Sequence, residues 1–351
     1  MRHIGSLAGI FTLGLAAIGG LAVANVLPRA PRPAVATTTA NDSVAAMGTG
    51  GLILQQTDGI RMDSEDLYVS AREVRVKYRF VNHTDQDIET IVAFPMPDLT
   101  AEQYIGMGGE DRDGPMVPFI TWVDDYAVQT QREEKAMLGD RDVTSRLRAI
   151  GIPIEPHVEA TLEALRALPA EALTGLEGAG LVEIESYQAA GGAQRWITPK
   201  WTLKTTYFWT QRFPAGETLA IEHVYAPAIG GAAQSYVGVD TGDLLPEMAQ
   251  HYVDTYCADA AFLAAAQRGR ASGLRYSETW IDYVLTTGAN WSGPIRDFRL
   301  VVDKGSEDRL VSFCGENVRK IGPTQFEMRA TNFTPSRDLN VLILDPERVR
   351  D

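Results

Sequence analysis

Reactive and cationic groups are scarce in this chain. Cys257 and Cys314 are the only cysteines among 351 residues, and with no C-x-x-C spacing they argue against a structural zinc site, which needs four ligands. The five histidines, His3, His83, His157, His223 and His251, include no H-E-x-x-H and no other close metal pair. G-x-S-x-G, the P-loop and a complete G-x-G-x-x-G are also missing, so the common hydrolase, nucleotide and dinucleotide sites have no local support. The sequence therefore offers no catalytic, cofactor-binding or metal-ligating residue. Positive charge is short as well: 32 Lys and Arg stand against 46 Asp and Glu, a net charge of −14. A nucleic-acid partner needs a basic footprint, and anionic lipid attracts basic segments; the acidic balance speaks against both. No second uncharged run of membrane-spanning length follows residue 41.

The one long uncharged run, Ile4 to Pro28, lies at the amino end behind Arg2 and His3, and Ala22-Val23-Ala24 within it has the small-x-small pattern that signal peptidase accepts. Residues 1–24 read as a signal peptide cleaved after Ala24. The alternative is a retained anchor, since a span needs roughly 20 residues; five glycines dilute the run, and Arg29 and Arg32 beyond it oppose a simple anchor orientation. Residues 25–43, rich in Pro, Thr and Ala, read as an extended spacer. Export places the mature chain in the periplasm or outside the cell, with no membrane-spanning segment if the signal is removed. In that oxidising setting the cysteine pair reads as a Cys257–Cys314 disulfide.

Period-two alternation marks the strands. Val74, Val76, Tyr78 and Phe80 alternate with Arg75, Lys77 and Arg79, and after the turn residues of Asn82 to Asp87 a second strand over Ile88 to Phe94 reads as its antiparallel partner. Gly51 to Gln55, Leu67 to Ser70 and Met116 to Val123 are further short strand candidates, while Asp63 to Asp66 reads as turn chemistry. Trp201, Leu203, Thr205, Tyr207, Trp209 and Phe213 share one face, with Phe208 on the other, and Leu219 to Tyr225 is expected to close a hairpin with them across Pro214-Ala215-Gly216. Glu222 and His223 then point to opposite faces, which disfavours a direct acid–base pair.

Leucines at helical intervals over about 132–176 predict a helical insertion, and Leu244 to Gln267 predicts a long helix ending near Gly269. Strand candidates return at Tyr276 to Leu285, Phe298 to Asp303, Leu310 to Cys314, Thr324 to Ala330 and Leu339 to Leu344. The expected fold class is mainly β. Two β-sandwich-like domains are expected: residues 44–243, carrying the insertion, and residues 244–351, opened by the connecting helix.

Four blocks carry a family resemblance: ANDS followed by GGLILQQTDGIRMDSEDLYVS, VRVKYRFVNHTDQDIETIVAFPMPD, FPAGETLAIEHVYAP, and WIDYVLTTGANWSGPIRDFRLVVDK with LVSFCGENVRKIGPTQFE. Through them the chain resembles the bacterial exported family known as domain of unknown function 4424, which implies export and transfers no catalytic residue. The second block is also similar to the strand, N-x-T turn, strand, F-P-x-P passage of vault-protein inter-alpha-trypsin domains, which are β-sandwich modules.

These features together predict a non-enzymatic binding or accessory module outside the cytoplasm, contacting an unidentified protein or cell-envelope ligand. The insertion and the basic stripe Arg75, Lys77 and Arg79 are its candidate surfaces; the equal alternative for the insertion is that its helices merely cover Phe208 and an exposed sheet face. The competing expectation is a hydrolase whose site is assembled from scattered carboxylates and histidines. A calcium loop at Glu110 to Gly114 is disfavoured, because Gly109 and Ile120 stand where acidic ligands would be needed.

Overall fold

Burial follows the period-two pattern wherever a strand lies on a core. The computed structural model describes residues 41–48, 51–101, 119–189, 192–239 and 246–348. The signal segment with Ala24, most of the spacer, the acidic stretch at 110–114 and the start of the Met116 strand lie outside the described residues.

A six-stranded sheet has the order β2-β1-β5-β12-β8-β9, built from β1 (Ser43–Gly48), β2 (Gly51–Gln55), β5 (Ile88–Pro95), β8 (Gln131–Leu138), β9 (Arg141–Asp142) and β12 (Thr202–Phe213). An eight-stranded sheet has the order β18-β19-β16-β3-β4-β13-β6-β7. Its strands are β3 (Ile60–Ser70), β4 (Val74–Asn82), β6 (Ile120–Val123), β7 (Tyr126–Val128), β13 (Thr218–Tyr225), β16 (Ile295–Asp303), β18 (Arg319–Lys320) and β19 (Gln325–Phe333). A four-stranded sheet, β14-β15-β20-β17, uses β14 (Ile229–Ala232), β15 (Leu274–Tyr283), β17 (Leu310–Phe313) and β20 (Leu339–Arg348). The hairpin β10 (Val182–Ala189) and β11 (Gly192–Pro199) stands apart. The mainly β class is as the sequence predicts.

Apolar side chains of all three large sheets meet in one core, with Tyr78, Phe80, Phe94, Phe213, Phe298, Val341 and Ile343 among its fully buried members. On β20 alternate residues serve two cores: Val341 and Ile343 face this one, while Leu342 and Leu344 face a second core under two helices. That double burial explains the uninterrupted apolar run there.

The strand pairs expected from sequence neighbours do not form. β4 pairs with β3 and β13, whereas β5 pairs with β1 and β12; β12 and β13 likewise lie in different sheets. Both turns are therefore arches that carry the chain from one sheet to the facing one. Asn82 and Asp87 tie the arches together. The Asn82 Nδ2 donates to the carbonyls of Gln86 (2.8 Å) and Phe213 (2.9 Å), and Asp87 accepts from the Ala215 amide at 2.9 Å and from Arg212. Alternation says which face of a strand is buried and leaves open whether its partner lies beside it or across the core.

The expected boundary at 243/244 also runs through one sheet. β16, from the carboxyl-terminal part, pairs in parallel with β3, placing Leu300 opposite Leu67, and the described residues on both sides of that boundary fall in one compact unit. Parallel partners need a long crossover, so nothing local announces them.

The helical insertion begins later than expected, because residues 131–138 form β8 against β12. Helices α1 (Thr144–Ala149), α2 (Glu159–Arg166) and α3 (Ala170–Gly178) follow. The long helix predicted after Leu244 is broken into α4 (Pro246–Tyr256) and α5 (Ala260–Ala271). Cys257 sits at the break with a positive φ of 52°, and Asp259 restarts the helix by accepting the Phe262 amide at 2.7 Å.

Cys257 and Cys314 are bonded, with Cα atoms 5.0 Å apart and a separation of 57 positions in sequence. The bridge fastens the helix break to the strand end after β17. Closing a loop of that length stabilises by about 4 kcal/mol in the chain-entropy model. The double variant Cys257→Ser/Cys314→Ser is thus expected to lose roughly that much in chemical denaturation at equal m value. A loss below about 1 kcal/mol would show that the bridge constrains little.

Candidate functional site

A concentration of polar side chains in the core gathers around three residues, Asn41, Asp42 and Ser43, all fully buried. The Asn41 amide donates to Thr287 Oγ1 and the Thr287 hydroxyl donates back to the Asn41 carbonyl, both at 2.8 Å. The Asn41 side chain donates to Glu65 at 3.1 Å and accepts from the Tyr78 hydroxyl at 2.5 Å, and Tyr78 in turn meets the Tyr283 hydroxyl at 2.9 Å. Trp291 Nε1 donates to the Asp42 carbonyl at 2.6 Å, and Asn290 donates to Ser43 Oγ at 2.8 Å. The segment just before β1 is held in a socket drawn from β3, β4, β13, β15 and the turn after it.

Asp42 also touches His223 Nε2 at 3.0 and 3.1 Å, and His223 Nδ1 lies 3.0 Å from Thr121 Oγ1. Carboxylate, imidazole and hydroxyl thus stand in the order of a nucleophilic relay. His223 and Asp42 are 0% exposed and Thr121 is 1% exposed. Phe94, Phe119 and Trp209 pack around the imidazole. The three buried groups satisfy one another's hydrogen bonds, and none is open to solvent. Glu222, on the opposite face as the sequence implies, pairs with Lys77 at 2.9 Å.

Glu65 is 1% exposed and its Oε1 has no hydrogen-bond partner. Burial pushes its carboxyl up to about 8, the Asn41 hydrogen bond opposes the shift and the Asp42 charge adds to it. Asp42 is also raised by burial, against the opposing pull of His223.

The second polar site is open to solvent on the outer face of the eight-stranded sheet, where a groove of about 470 Å³ is lined by Asp66, Tyr68, Arg75, Lys77, Glu222 and Arg299 among others. Register creates an alternating row across four neighbouring strands: Arg299 stands opposite Asp66, Asp66 opposite Lys77, and Lys77 opposite Glu222. Arg299 contacts Asp66 at 3.0 Å and Glu327 at 2.8 Å. In the next row the Arg75 guanidinium lies 5.2 Å from the centre of the Tyr68 ring. The basic stripe Arg75 and Lys77 of the sequence is here; Arg79, on the same strand face, is not among the lining residues.

The helical insertion, a candidate contact surface in the sequence, packs on the same face of β12 as Tyr207 and Trp209, at the Leu203 end of the strand. Leu147, Leu165, Leu173 and Leu176 bury Trp201 and Leu203 in a third core, and Trp201 Nε1 donates to the Ile154 carbonyl at 2.8 Å. Sequence reasoning missed Asn41, Asp42 and Glu65. Glu65 was hidden by a register shift between Met62 and Ser64. This irregularity makes Asp63 to Asp66 look like a turn, although β3 runs straight through. The signal available was an acidic residue sharing parity with Leu67 and Val69.

Among the described residues no group of three or more His, Cys, Asp or Glu is placed to hold a metal ion, and no helix is long and apolar enough to cross a membrane. No curated protein matches the sequence. Among solved structures, a Legionella pneumophila protein named provisionally as nutrient binding is similar at 14% identity and TM-score 0.43, covering 87% of this chain and 70% of the other. An M1 zinc metallopeptidase from Deinococcus radiodurans is similar at 9% identity and TM-score 0.22, over 83% of this chain and 43% of the peptidase. The model of one family, the domain of unknown function DUF4424, matches residues 40–342, and the chain belongs to that family.

Proposed function

We propose that this chain is an exported, non-enzymatic binding module that takes a small ligand or peptide segment of mixed charge in the outer groove. The observation that carries the reading is the alternating row Arg299, Asp66, Lys77 and Glu222. Each cation there already has an acidic partner. A purely anionic ligand must therefore compete with the protein's own carboxylates, and a purely cationic one with its guanidinium and ammonium groups. A ligand bearing both signs exchanges those pairs one for one and leaves no charge uncompensated. The groove's volume lies within the usual range of small-ligand sites, roughly 300–1,000 Å³. Enclosure of the Asp42–His223–Thr121 relay supports binding over the hydrolase alternative.

The test is calorimetric titration of the purified mature chain with the tetrapeptide Lys-Glu-Lys-Glu, with tetraglutamate and tetralysine as controls. Saturable binding of the mixed peptide is expected, weakened about tenfold, or 1.4 kcal/mol, by Lys77→Glu, whose side chain is exposed enough to leave folding intact. Equal binding of all three peptides, or none, would overturn the reading. Export is tested on the same secreted preparation, whose amino end is expected after Ala24 or within the following spacer; a chain retained with Met1 in the membrane sinks that half. Turnover of any substrate, abolished by a folded His223→Gln variant, would restore the hydrolase.

A further inference from the structure

We propose that the outward face of the β10–β11 hairpin is a saccharide-binding platform built on Tyr187 and Trp196. The hairpin register pairs Glu185 with Trp196 and Tyr187 with Gln194, so the two aromatic side chains are diagonal neighbours on one face. Diagonal positions lie about 7–8 Å apart. Both are 45% exposed, although large aromatics usually bury most of their surface. The opposite face cannot claim them: Val182, Ile184 and Ile197 hold it against the core beneath the insertion helices. A one-residue slip of register would turn those apolar residues out, so the aromatic face is fixed outward.

The neighbours of the two rings identify the occupant. Along the same face stand Glu183, Glu185 and Gln194, with Thr198 at its base, and no aliphatic side chain among them. A protein interface of useful size surrounds its aromatic anchors with further apolar area; two rings set among carboxylates and an amide do not provide it. The chemistry favours a ligand that has apolar C–H faces to lie on the rings and hydroxyl donors at its edges for acceptors to receive. A neutral pyranose chain meets both demands. Glu183 is itself paired with Lys200 at 3.3 Å, so it offers no uncompensated charge to an ionic polymer, and side-by-side rings on a flat pleat suit an extended chain better than a single caged cation. Tyr187 is pre-ordered for this role, since its hydroxyl donates to Gln194 Oε1 at 2.9 Å.

The site is independent of the outer groove, and its test is separable. The full mature chain is titrated by calorimetry with cellotetraose and with the N-acetylglucosamine tetrasaccharide, using tetralysine as the cationic control. Saturable binding of at least one saccharide is expected, weakened tenfold or more by Trp196→Ala and by Tyr187→Ala, largely retained in Trp196→Phe, and unchanged in Lys77→Glu. Both alanine sites are surface positions, and unchanged thermal unfolding confirms that the variants are folded. Failure of both saccharides to bind, or binding insensitive to Trp196→Ala, overturns the proposal. Tighter binding of tetralysine than of either sugar would assign the face to a cationic partner instead. Concentration-dependent dimerisation abolished by Trp196→Ala, without sugar binding, would assign it to a second copy.

Discussion

Trp201→Ala is expected to lower the unfolding free energy by about 3–5 kcal/mol, the usual cost of truncating a large buried aromatic. Trp201 is fully buried in the core formed by the insertion helices and β12, so the truncation opens a void that the surrounding leucines can fill only in part. It also strands the Ile154 carbonyl that now receives the indole N–H, adding a desolvation penalty within that range. Urea denaturation followed by far-ultraviolet circular dichroism measures the loss. A reduction under about 1 kcal/mol, or separate transitions for helices and sheets, would mean that the insertion is an appendage and not part of the cooperative fold. The outcome also decides whether an insertion deletion can be read as a binding experiment, because β8 and β12 of the six-stranded sheet contribute Ala136 and Leu203 to this core.

Glu65→Gln is expected to remove a large part of the chain's dependence of stability on pH. Burial raises the Glu65 carboxyl from 4.5 to about 8, so between those values the folded chain holds a proton that the unfolded chain releases. The unfolded state therefore binds fewer protons, and stability falls as pH rises, by about 1.4 kcal/mol per pH unit, until the folded carboxyl ionises. The stabilising contribution is complete below the unfolded value and lost as pH passes through about 8. Asp42, Glu278 and Asp282 are raised by burial too and bend the curve in the same direction, so the variant is compared with wild type by difference. The glutamine introduces its own amide, whose N–H groups meet the side of the socket where Oε1 now lacks a partner; this shifts the whole curve and leaves its slope untouched. Denaturation from about pH 5 to about pH 8 should show the variant gaining on wild type throughout. Parallel curves would show that Glu65 is not the proton held by the fold.

The comparison of sequence with structure turns on what alternation encodes. Val74 to Phe80 announced a strand with one buried face, and β4 buries Val74, Val76, Tyr78 and Phe80 while Lys77 and Arg79 face solvent. The same holds for β12 and β13, whereas β20 is buried on both faces. The disulfide partners were readable because a chain with two cysteines leaves one intramolecular pairing. Half of the groove was visible as a basic stripe. Its acidic members, Asp66 and Glu222, and the further cation Arg299 are brought beside that stripe by the sheet order.

By itself the sequence determined the β class, the strand faces, the cysteine pair and the acidic, motif-poor surface, because each depends on residue chemistry within a few positions. Only the tertiary structure decided that adjacent strands cross between sheets, that β16 lies beside β3, and that Asn41 to Ser43 fill a polar socket beside His223. It alone placed Tyr187 and Trp196 together on an outward hairpin face. Those outcomes join residues up to 249 positions apart, and the entropy of closing a loop grows only slowly with its length. Distant partners therefore cost little more than near ones, and complementarity of buried faces and hydrogen bonds across the core selects among them.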